Sequence, residues 1–320
     1  MDFQIILAKI VEFKWLFFAI GTALLWGTAE LFYKKGAQPQ EKYSHLKICV
    51  WVGVVMGLHA VITLLTQDIN YNPINILIYL PVSLFYIISM AFSYFGMRFL
   101  EESISDPIEN TAGVICVLLF ALFMGDKFHW LTWLAVGVIA VGVVGVSYLE
   151  NRGESQSKKT YGKKLAIIAF CMPFVYALLD AFGTFFDDAY FLAEDIATAP
   201  FVDVTADTIE AVANTSYELT FALFALILFI FMKSKGIKFG PVSQNKDKVL
   251  AAVFETAGQF TYVYALGAVD AVAAPILSSV CVVSLLLSRI FLKEKLSWKT
   301  YVFIAIVIIG ILLLAVSEEI

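Results

Sequence analysis

The sequence predicts an all-α integral membrane protein: ten transmembrane helices built as two inverted five-helix repeats. Three observations carry that expectation. Of the 320 residues, 60% are apolar and 15% charged, where a soluble domain holds about 45–50% and about 25%. The apolar residues fall in long runs, and about 20 in a row cross the ~30 Å hydrocarbon core of a bilayer. One half of the chain also repeats in the other.

The spans are expected near 15–34, 45–66, 73–99, 104–125, 130–149, 163–187, 212–232, 248–267, 270–291 and 299–316. Inside hydrocarbon a helix satisfies its own backbone hydrogen bonds. A membrane barrel would alternate in short segments, and these runs are continuous. Lys9, Glu12 and Lys14 break the first apolar stretch, so residues 1–14 do not read as a cleavable leader. The expected division is a first repeat over 1–149, a polar linker over 150–162 and a second repeat over 163–320. Within the second, 188–211 is an acidic extracytoplasmic loop with Asp188, Glu194, Asp195, Asp203, Asp207 and Glu210. Asp203 reads there as the N-cap of a short surface helix.

The repeat has a register of 168 residues. It brings Pro107-Ile108 onto Pro275-Ile276, Asp126-Lys127 onto Glu294-Lys295, and Trp130 onto Trp298. Thr132 meets Thr300, Gly142 meets Gly310, and Tyr94 meets Tyr262. Apolar composition alone would not bring proline, acid-lysine, tryptophan and threonine together in one ungapped register. Two copies of five spans, an odd number, must lie in opposite orientations. Inverted repeats of this kind place a solute site near the midplane and alternate its access.

Nineteen of the 22 Lys and Arg, all but Lys9, Lys14 and Lys127, flank the odd-numbered connections. The positive-inside rule puts those connections in the cytoplasm and both termini outside, in a multi-pass protein of the plasma membrane. No basic patch with interleaved aromatics marks a nucleic-acid surface. Cys49, Cys116, Cys171 and Cys281 lie in apolar runs without CxxC spacing, so they read as small buried hydrophobes and not as metal ligands. HExxH, GxSxG and P-loop patterns are absent, and Asp187-Asp188 is not completed into a DDxxD motif. The sequence therefore implies no enzyme activity, cofactor or metal.

These features resemble the ten-helix EamA-type members of the drug/metabolite transporter (DMT) superfamily. The resemblance is carried by the tandem halves and by the fourth and ninth spans opened by Pro107 and Pro275. It extends to Asp126-Lys127-Phe128-His129-Trp130 and Glu294-Lys295-Leu296-Ser297-Trp298, to the glycines Gly137, Gly142 and Gly145, and to Trp26-Gly27 in the first span. It implies transport without specifying the solute. The chain departs from the pattern in setting Glu109-Asn110 against Leu277-Ser278, and in the length of 188–211.

A carboxylate within a span is costly and is a functional candidate by default. The candidates are Glu30, Glu109, Asp180, Glu218 and Glu255. Glu218 and Asp187 read as hydrated groups at span ends. Arg98 and Arg289 read as anchors that snorkel to the interface. Gln259 sits one turn from Glu255. Tyr86, Tyr94, Tyr176, Tyr262, Tyr264 and Trp26 share helices with the carboxylates, and ring faces attract ammonium groups. Trp130, Trp133 and Trp298 read as interfacial residues. His59 reads as a hydrogen-bonded structural residue, with a proton switch as the alternative.

The expected substrate site is Glu30, Tyr86, Tyr94, Glu109, Asn110, Asp180, Glu255, Gln259 and Tyr262, with Glu109 and Glu255 as proton-coupling groups. The expected function is secondary active transport of a small polar metabolite or organic cation, proton-coupled or by exchange. The alternative is a flippase or scramblase for a lipid or lipid-linked headgroup. The expected partners are the solute and the bilayer, with the chain a monomer or homodimer.

Overall fold

The computed structural model describes residues 14–149, 160–187, 200–205, 207–266, 280–294 and 296–317. The expectations for 1–13, 150–159, 188–199, Asp270 to Ser279 and Lys295 lie outside the described residues, as does the side chain of Tyr264. Regular structure in the described residues is helical. The helices are α1 Lys14–Gly36, α2 Ser44–Thr66, α3 Ile74–Gly96, α4 Glu102–Met124 and α5 Trp130–Leu149. They continue as α6 Lys163–Phe186, α7 Ile209–Ser234, α8 Lys246–Leu266, α9 Val280–Leu292 and α10 Trp298–Ser317.

Seven of them, α1 to α4, α6, α7 and α10, are long and apolar enough to cross a membrane. In α5 the apolar stretch Trp130–Val146 is shorter, as is α9. Helix α8 carries Lys246, Asp247, Lys248 and Glu255 and is not among the seven.

Helix α4 matches the span expected over 104–125 but is irregular along its length. It turns at Asn110-Thr111 between Glu102–Glu109 and Ala112–Leu119, and closes in a π-helical turn over Phe120–Met124. Asn110 Nδ2 donates to Asp106 O at 2.9 Å, and Thr111 Oγ1 donates to Ile108 O at 2.7 Å. These side chains bond backbone carbonyls at the turn, a local competition that bends helices.

A series of local features occurs twice in the described residues. Ala112–Leu119, the π turn Phe120–Met124, left-handed Gly125 (φ 77°) and Trp130–Leu149 form one series. Val280–Leu287, the π turn Ser288–Leu292, left-handed Lys293 (φ 57°) and Trp298–Ser317 form the other. The π turns, the left-handed residues and the helix starts Trp130 and Trp298 stand 168 residues apart, the shift read from the sequence.

Helix pairing has the same symmetry. The main contacts are α1 with α8, α3 with α6, α2 with α7 and α5 with α10. Exchanging each helix for the one five places along turns α1–α8 into α6–α3, α1–α9 into α6–α4, and α2–α8 into α7–α3. Small residues let these pairs approach, since lipid offers no hydrophobic drive between helices. A Cβ on Gly142 would meet Val307 at 2.6 Å, and one on Gly310 would meet Ile139 at 2.5 Å. The shift that carries Gly142 to Gly310 also carries Ile139 to Val307, so these are one contact made twice. On α2–α7, Gly53 lies against Phe221 O and Gly57 against Ala222. A leucine at Gly142 or Gly310 would overpack α5–α10, typically a cost of about 1–3 kcal/mol.

One end of the bundle collects the connections after α1, α3, α7 and α9. Arg98 donates to Pro39 O at 3.2 Å and Glu41 O at 3.1 Å. Glu41 bridges Lys47 at 2.5 Å and Lys248 at 2.8 Å. Glu294 accepts from Glu102 N at 2.9 Å, Ser103 N at 3.0 Å and Ser103 Oγ at 2.6 Å, capping α4. Lys34 Nζ donates to Met97 O and Leu100 O. Arg289 is exposed and donates to Glu294 O at 2.6 Å. The two arginines thus tie loops together, beyond the anchoring expected of them. Because it holds most of the described lysines and arginines, this is called the basic end below.

Three local expectations are corrected at the opposite end and along the helices. Asp203 does not cap a helix: it has φ 60°, accepts from Asn72 Nδ2 at 2.8 Å, and is separated from the first residue of α7, Ile209, by a turn at Thr208. Of the cysteines, Cys49 and Cys281 are buried, but Cys171 is exposed on α6. Glu218 is not hydrated; it is fully buried and bonds His59 Nδ1 at 2.8 and 2.9 Å. Trp130 and Trp298 are largely exposed at the starts of α5 and α10.

Candidate functional site

A cavity of about 600 Å³ opens among α1, α3, α4, α6, α7, α8, α9 and α10. Glycines shape its aromatic walls. Gly258 on α8 leaves room for the Trp26 indole of α1, where a Cβ would meet the ring at 2.4 Å. Gly183 on α6 does the same for the Tyr86 ring of α3, at 3.0 Å.

All nine residues of the expected substrate site line this one cavity: Glu30, Tyr86, Tyr94, Glu109, Asn110, Asp180, Glu255, Gln259 and Tyr262. Trp26 lies 5.2 Å from Tyr262, centroid to centroid, and Tyr33 lies 4.5 Å from Tyr94. Tyr86 Oη pairs with Thr184 Oγ1 at 3.2 Å.

Glu109 is held most firmly. Its carboxylate accepts from Ser93 Oγ on α3 at 2.9 Å and from Ser105 Oγ, one turn back, at 2.8 Å. Asp106 is 5% exposed and accepts from Asn110 Nδ2 at 2.7 Å. Glu102, Asp106 and Glu109 recur at helical spacing on one buried face of α4. Glu102 is fully buried, with neither carboxylate oxygen hydrogen-bonded among the described residues.

Sequence reasoning missed part of the lining. Asp106, Tyr33, Tyr79, Asn214 and Tyr217 all border the cavity. Asp106 sits one turn before Glu109, so its spacing was informative. An expected span starting at 104 left it at the edge of the membrane. Asp187, expected to be hydrated at a span end, lines the cavity too, as does Glu210 from the acidic connection. The lining holds seven carboxylates, Glu30, Asp106, Glu109, Asp180, Asp187, Glu210 and Glu255. Among the described residues it includes no Lys, Arg or His. It also holds seven tyrosines, Tyr33, Tyr79, Tyr86, Tyr94, Tyr176, Tyr217 and Tyr262. Carboxyl groups and aromatic ring faces are both groups that a cation can contact.

Glu218, a candidate carboxylate of the sequence, is not in the lining. It lies between α2 and α7, where Asn214 Nδ2 also donates to it at 3.4 Å. Among the described residues no three His, Cys, Asp or Glu side chains converge as a metal-ligand set.

Residues 13–148 and 197–316 match the EamA-like transporter family, one segment in each half of the chain. No curated protein matches the chain. A solved structure described only as a crystal structure of a protein is similar over 94% of this chain and 96% of its own, with a TM-score of 0.57 and 15% identity. At that identity the likeness concerns the fold.

Proposed function

The chain belongs to the EamA-like transporter family, a multi-pass membrane transporter of the DMT type, and from that premise we propose that it is a secondary active transporter for an organic cation. The observation that carries the substrate class is the cavity lining, with seven carboxylates, seven tyrosines and Trp26 but no described base. A cation entering it meets charge in a low-dielectric site, where an ion contact is stronger than in water.

We take the two halves, 1–149 and 163–320, as inverted five-helix repeats joined by the linker. Among the described residues, π turns and left-handed residues that recur at 168 residues and helix contacts that map onto themselves support this. The cavity between the halves would then open to one side at a time. The bonds of Glu41, Glu294 and Lys34 favour a closed basic end in the present state. Cavity residues Asp187 and Glu210 lie toward the opposite end. The basic end is cytoplasmic on the positive-inside rule, in a plasma-membrane protein acting as a monomer or homodimer.

Glu109 and Glu255 are the proposed proton-coupling groups within the cavity, and the other expected site residues bind the cargo. The test is uptake of primary and quaternary amines by proteoliposomes, with and without a pH gradient. Glu109→Gln and Glu255→Gln are each expected to cut uptake about tenfold or more, since a charge-assisted contact is worth ~1.5–3 kcal/mol. Normal transport by both variants would remove the carboxylates from the mechanism.

A further inference from the structure

Beyond the cavity, one ionisable pair has no role in the site described above. We infer that His59 and Glu218 form a proton-binding site, joined to the cavity through Asn214 and Gln259.

The joining groups are in hydrogen-bond contact. Gln259 Nε2 donates to Asn214 Oδ1 at 3.2 Å, and Asn214 Nδ2 donates to Glu218 Oε1 at 3.4 Å. Glu218 accepts from His59 Nδ1 with both oxygens, at 2.8 and 2.9 Å. Gln259 and Asn214 line the cavity, whereas Glu218 and His59 do not. One polar chain therefore leads from the cavity wall to the seam between α2 and α7.

The geometry assigns the proton. A carboxylate on Nδ1 holds the hydrogen there, so the imidazole gains or loses its second proton at Nε2. Glu218 is fully buried, while the His59 side chain is 24% exposed, beside the edge of the Phe260 ring on α8 at 5.6 Å. Tyr217 on α7 is within electrostatic reach of Glu218, and also of Glu255, Asp180 and Asp187 across the cavity. Tyr71, which precedes α3, is bonded to Ser216 on the same stretch of α7.

A proton arriving at Nε2 turns a lone buried carboxylate into a neutral ion pair. A proton leaving Nε2 restores the net charge beside the cavity. A cation in the cavity and a proton on His59 therefore oppose one another, and by linkage each weakens the other equally. This gives cation–proton exchange. The linkage to cargo rests on the cation reading above, but the proton site does not.

The chain has three histidines, so ring-15N spectra of the full-length protein in lipid nanodiscs can resolve His59, assigned by its loss in His59→Gln. The ring is expected to pass from the Nδ1–H tautomer to the doubly protonated form between about pH 8 and pH 5, the range in which histidine serves as a switch. Its midpoint is expected to move by about half a pH unit or more in Gln259→Leu or Asn214→Leu, a change in coupling of about 0.7 kcal/mol or more. A ring fixed in one state over that range, or a midpoint indifferent to both variants, overturns the proposal.

Tetraethylammonium added to weakly buffered protein is then expected to release protons from the wild type. It should bind His59→Gln and Glu218→Gln but release at most about half as many. Glu218→Gln keeps an acceptor for Nδ1, so it guards against misfolding. Proton release unchanged in both variants overturns the exchange linkage. If neither tetraethylammonium nor ethanolamine binds the wild type while the His59 titration and its Gln259 dependence persist, the cation cargo falls and the proton site stands.

Discussion

Two regions of this protein treat their carboxylates in opposite ways. At the basic end, Glu41 bridges two lysines and Glu294 caps a helix with three hydrogen bonds. In the cavity, Glu109 and Asp106 are held by serine and asparagine, and the described lining supplies no base. Carboxylates with protein partners close the structure. Carboxylates without cationic partners raise the energy of the empty cavity and leave a counter-charge for something to supply. Their removal should therefore separate stability from binding.

The largest effect is expected in the cavity. Asp106→Asn keeps a carbonyl oxygen for Asn110 and deletes the charge. Affinity for an organic cation, read by ligand-induced thermal shift, should fall about 10–100-fold, equal to ~1.4–2.8 kcal/mol. The thermal midpoint without ligand should stay level or rise, because an uncompensated buried charge has gone. A variant that loses stability while keeping affinity would reverse the comparison and make Asp106 a structural residue.

An intermediate effect is expected at Glu294. Glu294→Ala removes the acceptor for Glu102 N, Ser103 N and Ser103 Oγ, and loss of a cap costs about 0.5–2 kcal/mol. The closed basic end should lose that stabilisation relative to an open one. A cysteine at Ala112, which lines the cavity, in a background free of native cysteines would report the change. Its labelling by a membrane-impermeant thiol reagent from the basic side should rise several-fold. Equal labelling with and without Glu294 would show that the cap does not latch this end.

Much of this contrast was legible in the sequence, and the reasons are physical. The repeat register was legible because Pro107, Asp126, Trp130 and Gly142 recur in a background too apolar to produce them by accident. That register returns in the π turns and in the left-handed pair Gly125 and Lys293. The nine expected cavity residues were legible because polar groups in hydrocarbon face inward. Partnership was not legible. Nothing in the spacing of His59 and Glu218, or of Glu294 and Glu102, tells that they meet, since those contacts depend on packing across α2–α7 and α4–α9. Glu218 therefore read as hydrated, and Asp106 was passed over beside Glu109. The break in α4 was also hidden, because it depends on side-chain bonds by Asn110 and Thr111 within an apolar run.

The smallest effect, and the sharpest check on the closed end, concerns Glu41. It lies between α1 and α2, outside the spans. Burial there pushes its carboxyl upward, but the bonds and charges of Lys248 and Lys47 outweigh burial and hold it below its usual value. A depressed folded pKa contributes stability above the unfolded value, near pH 4.3 for glutamate, and that contribution is lost as pH falls through the folded value. Glu41 is partly exposed, so the contribution should be under about 1 kcal/mol. Glu41→Gln should therefore unfold slightly more easily than wild type at pH 7, and the gap should close as the pH falls below about 4. Added salt should narrow the gap at pH 7. A gap that persists in acid would mean that Glu41 acts through the backbone of its loop, where Arg98 donates to its carbonyl, and not through its charge.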